Sequence, residues 1–216
     1  MNKFDILKEI LLARHSWREY DSQKINEQDI NEILEVARHS PSAFGSEPWH
    51  LIVVSNNKVK QELHPLIWKQ KQVLNASHLF LILTNKKNAF TKNSAFLRLR
   101  YQTRYQNSDE KFEQLQNNLI NYLKKYINDP EEWAKRQAYI LLENIILCAF
   151  AKGIGTSPME GFDGADIINY LETNKYIAPN EYNVAVVLAA GYLPKNKELP
   201  IKPQSLTYEQ LVTKIE

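Results

Sequence analysis

The stretch SPSAFGSEPWHLIVVSN, from Ser40 to Asn56, crowds small residues against a Pro48-Trp49 pair and then runs into an apolar, β-branched segment. Residues 50–55 read as a strand, because Val, Ile and Leu fit a pleated, half-buried surface. Pro41, Ser42, Ala43 and Gly45 leave the loop before it with little bulk. Two readings fit that loop. It is a compact turn feeding the strand, with Trp49 as core filler, or it is a backbone surface against which a large planar ligand lies.

Working outward, helical spacing predicts an amphipathic helix over 5–13 (Ile6, Leu7, Ile10, Leu11) and another over 27–39 (Ile30, Ile33, Leu34, Ala37), the second with Asn26 as its N-cap. A short helix is expected over 57–63. HLFLILT (78–84) and NVAVVLAA (183–190) read as buried strands. Residues 86–128 contain neither Gly nor Pro and carry helical spacing at Phe112, Leu115, Leu119, Leu123 and Tyr126, with Ser108 as a cap. They read as a helical excursion from a single domain spanning 1–216. Asp129-Pro130-Glu131-Glu132 opens a helix with a capping acid, Pro at the first position and acids in the first turn. That helix runs to 152, Gly153 suits a left-handed C-cap, and its apolar 138–151 segment is expected to be buried on most faces. A further helix is expected over 163–171. The tail from Lys195 onward is expected to wrap over another surface, such as a partner subunit. Few strands, many helices and no regular βαβ alternation give an α+β fold in three layers.

The chain has 216 residues, a formal net charge of +2 and one cysteine. Near-balanced charge argues against nucleic acid or an anionic membrane as partner. The apolar run 184–193 is about half of the roughly 20 residues a membrane helix needs. Acidic residues inside the first apolar run argue against a signal peptide, and a lone Cys148 rules out an internal disulfide; a cytoplasmic location is the expectation. No Cys/His cluster has metal-ligand spacing, and no nucleophile elbow or P-loop is present. An enzyme with this inventory depends on a bound cofactor for its chemistry, and no side chain is assigned as catalytic.

Several short patterns carry binding chemistry. RHSWR places Arg14, Ser16 and Arg18 just after the first helix, where two cations and a hydroxyl suit either a phosphate group or a solvated basic turn. LPKNK places Lys195 and Lys197 on one side of an extended segment. SPMEGFD offers Glu160 and Gly161 after a short strand or turn, and a glycine there permits close approach of a flat ring to the backbone.

Taken together and in order, these patterns resemble the FMN-dependent nitroreductase family. The elements are R-H-S-x-[KR], PS-x-x-x-S-x-PW, W-A-x-RQ-x-Y (here 133–139), P-[IM]-EGFD (here 158–163) and a closing LPK-x-[KR]. The resemblance covers nearly the whole chain and is weakest over 86–128. It implies a homodimeric α+β fold with a mostly antiparallel central sheet and a C-terminal tail extending onto the partner. It also implies an FMN site at the subunit interface. Arg14, Ser16, Lys195 and Lys197 would hold the FMN phosphate, with His15 nearby and Arg18 near the ring. Pro41, Ser42 and Ala43 of the partner chain would pack on the isoalloxazine, and the Glu160–Gly161 backbone would face its N5 edge. Relatives carry Asn-x-x-Lys where this chain has Lys69 and Gln72, so Lys69 is the expected source of charge near the flavin ring. Phe44 is expected to narrow the substrate pocket, and Glu47 replaces a common glutamine. The activity implied is NAD(P)H-dependent, ping-pong reduction of nitroaromatics, quinones or similar small acceptors. Alternatives on the same fold are a pteridine or flavin reductase, a reductive dehalogenase, or a non-catalytic flavin-binding protein.

Overall fold

A computed structural model of the chain describes residues 2–104, 108–195 and 205–215. Four strands form its sheet: β1 (Trp49–Val54), β2 (His78–Asn85), β3 (Ile154–Met159) and β4 (Tyr182–Tyr192), in the spatial order β1-β2-β4-β3. Every neighbouring pair is antiparallel. The segment expected to be a short strand or turn before Glu160 is therefore a full edge strand. Its sequence, IGTSPM, hides this, because Gly, Ser and Pro dilute the usual strand composition.

Helices cover both faces. On one side α2 (Glu27–Ala37) and α7 (Pro130–Ala151) pack Ile30, Ile33, Leu141, Ile145 and Ala149 against Trp49, Phe80, Ile82, Val186 and Leu188. On the other, α3 (Asn57–Leu63), α4 (Lys71–Asn75) and α8 (Gly164–Thr173) pack Leu63, Val73, Ile167 and Leu171 against Leu79, Leu81, Val184, Val187 and Ala189. β2 is buried at every position, as a central strand covered on both faces must be. A bulge shifts the register from Ile82↔Val186 to Leu83↔Val184. The extra residue, Ala185, inverts the alternation along β4, so that Val184 and Val186 reach opposite layers.

The helix starts follow side-chain chemistry. Asn26 Oδ1 accepts from Asp29 N–H, Asn56 Oδ1 from Lys58 N–H, Ser108 Oγ from Lys111 N–H and Asp129 Oδ1 from Glu131 N–H. Gly153 closes α7 at φ +73°, the left-handed region where a Cβ is penalised. Between β2 and α7 lie α5 (Ala95–Arg104) and α6 (Asp109–Tyr126). Leu97, Tyr101, Phe112, Leu119 and Leu123 from these helices share a cluster with Trp133 and Ala134 at the start of α7.

α7 is buried or half-buried along most of 138–151, as expected, with Tyr139 and Ile140 left 38% and 40% exposed. α1 (Lys3–Ala13) has the predicted apolar spacing but buries none of its side chains, and Phe4, Leu7 and Leu11 stand in solvent. Both helices present apolar surface that the isolated chain does not cover. From the tail, only a four-residue helix, α9 (Tyr208–Leu211), is formed among the described residues.

Residues 14–21 lie as an extended strap across one end of the sheet. Trp17 N–H donates to Thr156 O at 2.8 Å, Ser16 bridges Thr156, and Asp21 N–H donates to Tyr192 O at 2.9 Å. Two glycines make room for it. A Cβ on Gly191 would come within 2.7 Å of Tyr20 Cβ and Cγ, and one on Gly155 within 3.1 Å of Trp17 Cβ.

Gly191→Ala is expected to force Tyr20 off the sheet and to cost about 1–3 kcal/mol, read as a lowered urea midpoint. A second prediction concerns the α2–α7 link. Lys152 Nζ donates to Asp29 Oδ1 at 2.8 Å and to Glu32 Oε2 at 2.5 Å. Bonds from Lys152 hold both carboxyl groups below their ordinary values. Carboxyls depressed on folding stabilise the fold above their unfolded pKa, and that contribution is lost as pH falls through the folded value. Lys152→Met should lower stability near neutrality and flatten its decline on acidification. Urea melts at neutral pH and at about pH 3 would then differ less than in the parent.

Candidate flavin site

The strap presents its side chains alternately, as extended backbone does. Trp17 points inward and is 5% exposed, whereas Ser16 and Arg18 are exposed on the other side. Arg14 precedes Ser16 by two and shares that side. His15 lies beside the indole, with ring centroids 6.5 Å apart, and its Nδ1 contacts Ala13 O. Lys195 follows β4 by three residues. Leu193 would sit 2.3 Å from a Cβ on Gly155, the same point that Trp17 crowds, so the chain leaving β4 returns to the strap. An extended chain spans at most about 3.6 Å per residue, which keeps Lys195 within about 7 Å of Leu193. The structure thus sets Ser16 on Thr156, with Arg14 and Arg18 two residues to either side in the strap, and returns Leu193, two residues before Lys195, to the same place. Lys197 lies outside the described residues.

At the other end of β3, Glu160 and Gly161 turn the chain toward α8. Gln70 Nε2 donates to Gly161 O at 2.9 Å, and Asp163 N–H donates to Leu66 O. Trp68 and Lys69 both adopt left-handed backbone, at φ +48° and +52°. That double turn lays the Trp68 ring on Gly161, where any Cβ would meet Cε3 at 2.7 Å. Lys69 is thereby held exposed one residue from the group that grips Gly161. Gln72 is turned inward: it is 4% exposed and donates to Gln70 Oε1 at 2.9 Å. It therefore steadies Gln70 from behind. Lys71 Nζ pairs with Glu19 at 3.1 Å and ties this segment to the strap.

Glu160 has a partner that the sequence reading passed over. Tyr139 Oη donates to Glu160 Oε1 at 2.5 Å. Burial and the Glu160 carboxylate push the Tyr139 hydroxyl well above the ordinary phenol range, so it remains a donor across the working pH range. A cavity of about 460 Å³ opens here, lined by Arg136, Tyr139, Glu160 and Phe162.

The Ser40–Gly45 loop is not part of this assembly. Ala43 N–H donates to Gln137 Oε1 at 2.9 Å, and Asn144 Nδ2 donates to Ser40 Oγ at 2.7 Å. The loop is thus fastened to α7. Gln137 and Tyr139 are two residues apart on that helix, about 200° around its axis. α7 therefore stands between the loop and the Glu160–Gly161 turn of the same chain. Pro41 is exposed and Ser42 Oγ accepts from Glu47 N–H. Phe44 takes a left-handed conformation, φ +58°, and rests on Tyr122 with centroids 5.1 Å apart. Glu47 pairs with Arg100 at 3.3 Å. A cleft of about 640 Å³ runs past Ser40, Pro41, Ser42 and Arg100.

Thr156, Trp68, Gln70 and Tyr139 complete the site, Gln137 anchors the loop across α7, and none of them was singled out from the sequence. Gln137 and Tyr139 lie inside the W-A-x-RQ-x-Y pattern, which was the available signal. Trp68 and Gln70 sit in an aperiodic polar stretch that offers none.

Comparison with known proteins agrees with this architecture. The model of the Nitroreductase family matches residues 11–192. A candidate NAD(P)H nitroreductase of Staphylococcus haemolyticus is 34% identical over 199 residues, covering 85% of this chain and 88% of that protein. Among solved structures, a nitroreductase-like protein of Streptococcus mutans superposes with a TM-score of 0.80 at 21% identity, over 99% of this chain and 100% of the other. A candidate nitroreductase of Exiguobacterium sibiricum, solved in complex with FMN, superposes with a TM-score of 0.74 at 19% identity, over 97% of each chain. With a family model spanning the strap, the loop, both ends of β3 and β4, the chain belongs to the nitroreductase family.

Proposed function

We propose that this chain is an NAD(P)H-dependent FMN oxidoreductase that reduces small planar acceptors such as nitroaromatics and quinones, and that it works as a homodimer. The observation that carries this reading is the pairing of two unlike surfaces at the two ends of one edge strand. Cations and a hydroxyl gather at Thr156, and a bare backbone turn stands at Gly161. A ligand with an anionic tail and a flat ring head matches that arrangement. The crowding at Gly161 supports the fit, since a side chain there would collide with Trp68 and obstruct the approach of a ring.

When bound, the flavin supplies two-electron redox chemistry, accepting hydride from NAD(P)H and delivering electrons to the acceptor. The chain's own residues bind and orient. Arg14, Ser16 and Lys195 would hold the phosphate with charge-assisted hydrogen bonds. The Glu160–Gly161 backbone faces the ring edge, kept in place by Tyr139, Gln70 and Trp68. Lys69 and Arg18 place positive charge where negative charge accumulates on reduction, which favours the reduced form. One open face receives both substrates in turn, so ping-pong kinetics follow. Solvent supplies the protons.

The dimer follows from what one chain leaves unfinished. Pro41, Ser42 and Ala43 are separated from their own turn by α7, so a second protomer is the source of the floor under the ring. α1 and the Tyr139–Ile140 side of α7 supply apolar surface for that association. A helix of eleven residues with no buried side chain is marginal by itself and gains stability from a covering partner. Phe44, at the rim of this loop, narrows the acceptor pocket. Among the described residues no helix is long and apolar enough to cross a membrane.

The purified protein should be yellow and bleach anaerobically with NADH or NADPH, regaining colour on adding a quinone. A protein that stays colourless after incubation with FMN would end this reading. Two variants separate the ends of the site. Lys195→Ala should weaken FMN retention about tenfold, measured as flavin remaining after dialysis. Tyr139→Phe should retain the parent's flavin content but slow anaerobic reduction about tenfold, because the turn at the reacting edge loses one of its three holds.

A further inference from the structure

A second cavity, of about 350 Å³, lies at the sheet end where β1 begins and β2 finishes, roofed by the first turns of α5. It is lined by none of the residues assigned to the flavin. Its walls are apolar and flat: Trp49, Phe96, Leu99 and the stacked pair His50 and Tyr182, whose centroids are 5.2 Å apart at 26°.

Three polar features converge on it. Asn85 is 6% exposed and its side-chain amide has no hydrogen-bond partner among the described residues. An amide with no protein partner offers a ligand both a donor and an acceptor. Second, α5 opens on the cavity. Ser94 takes the Leu97 and Arg98 N–H groups, at 3.2 and 3.0 Å, while the Ala95 and Phe96 N–H groups have no acceptor among the described residues. Those donors and the helix dipole favour an anion. Third, Arg100 lines the wall. Its Nη atoms reach Glu47 and Trp49 O at 3.3 Å each, and its buried Nε has no acceptor. Of the neighbouring acids, Glu47 is engaged by Arg100 and Glu181 is exposed at the rim. Burial and the Arg100 charge hold His50 below its ordinary value, so it offers a neutral ring at pH 7.

We propose that this cavity binds a small carboxylate carrying a flat apolar body. The carboxylate sits at the α5 N-terminus within reach of the Asn85 amide and the Arg100 side of the wall. The body lies between Phe96, Trp49 and the His50–Tyr182 stack. The inference does not rest on the flavin reading, and its test reads a different part of the molecule.

The test is a titration of the isotope-labelled, flavin-loaded protein with benzoate, followed by amide NMR and by the visible spectrum, with inorganic phosphate as the second arm. Benzoate should shift the Asn85, Ala95 and Phe96 signals saturably, leave the flavin spectrum unchanged and outcompete phosphate. Asn85→Leu should weaken benzoate about tenfold. Ala95→Glu, an exposed first-turn change that favours the helix, should weaken it similarly and guards against misfolding of the first variant. The proposal fails if those three signals do not move, if benzoate acts only on the flavin spectrum, if phosphate binds equally well, or if folded Ala95→Glu protein binds benzoate like the parent.

Discussion

The structure depends on one clip of backbone. Trp17 N–H on Thr156 O, with Ser16 bridging the same residue, fastens the N-terminal strap to the free edge of β3. Without it, Arg14, Ser16 and Arg18 would be a basic turn in solvent. With it, the alternation of an extended chain sends Trp17 into the core and its cationic neighbours outward together. Gly155 and Gly191 are the cost of that closeness: each leaves space that Trp17, Leu193 or Tyr20 fills. The strap and the chain leaving β4 thereby meet, although they are separated by nearly the whole sequence.

β3 is also the ruler of the site. One end receives the cations and the other delivers Glu160 and Gly161. A sheet edge is a liability when exposed, and this one is covered at its start by the strap and by Leu193. The turn beyond it is held from three sides, by Tyr139 on the carboxylate, Gln70 on the carbonyl and the Trp68 ring on the α-carbon. Gln72, fixed in the core, braces Gln70. A site built this way keeps its geometry through side chains whose own positions are set by packing.

Much of this was legible in the sequence. Strong caps at Asn26, Ser108 and Asp129 and the glycine stop at Gly153 mark helices by local hydrogen bonding, which sequence reports directly. β2 and β4 are continuous apolar runs because both of their faces are covered. The pairing of RHSWR with LPKNK came from a resemblance; within the described residues the strap's Trp17 and Leu193 meet at Gly155. The parts that were illegible are those decided by distant contacts. IGTSPM becomes a strand because β4 pairs with it, against its own composition. Trp68 and Lys69 take left-handed backbone, a double turn that lays the Trp68 ring on Gly161. α1 has a helical pattern, but its apolar side meets none of the described core, which its spacing could not report. The inward turn of Gln72 likewise depends on Gln70, two residues away in sequence but oriented by Gly161.

The central claim is that one phosphoryl group is held by both ends of a chain while a second protomer covers the ring. A crystal structure of the FMN-loaded protein tests it most directly. The account predicts phosphate density between Arg14, Ser16 and Lys195, the ring edge at Glu160–Gly161, and the Ser40–Gly45 loop of a neighbouring protomer against the ring. Phosphate density remote from the strap, or a ring covered by the loop of its own chain, would contradict it.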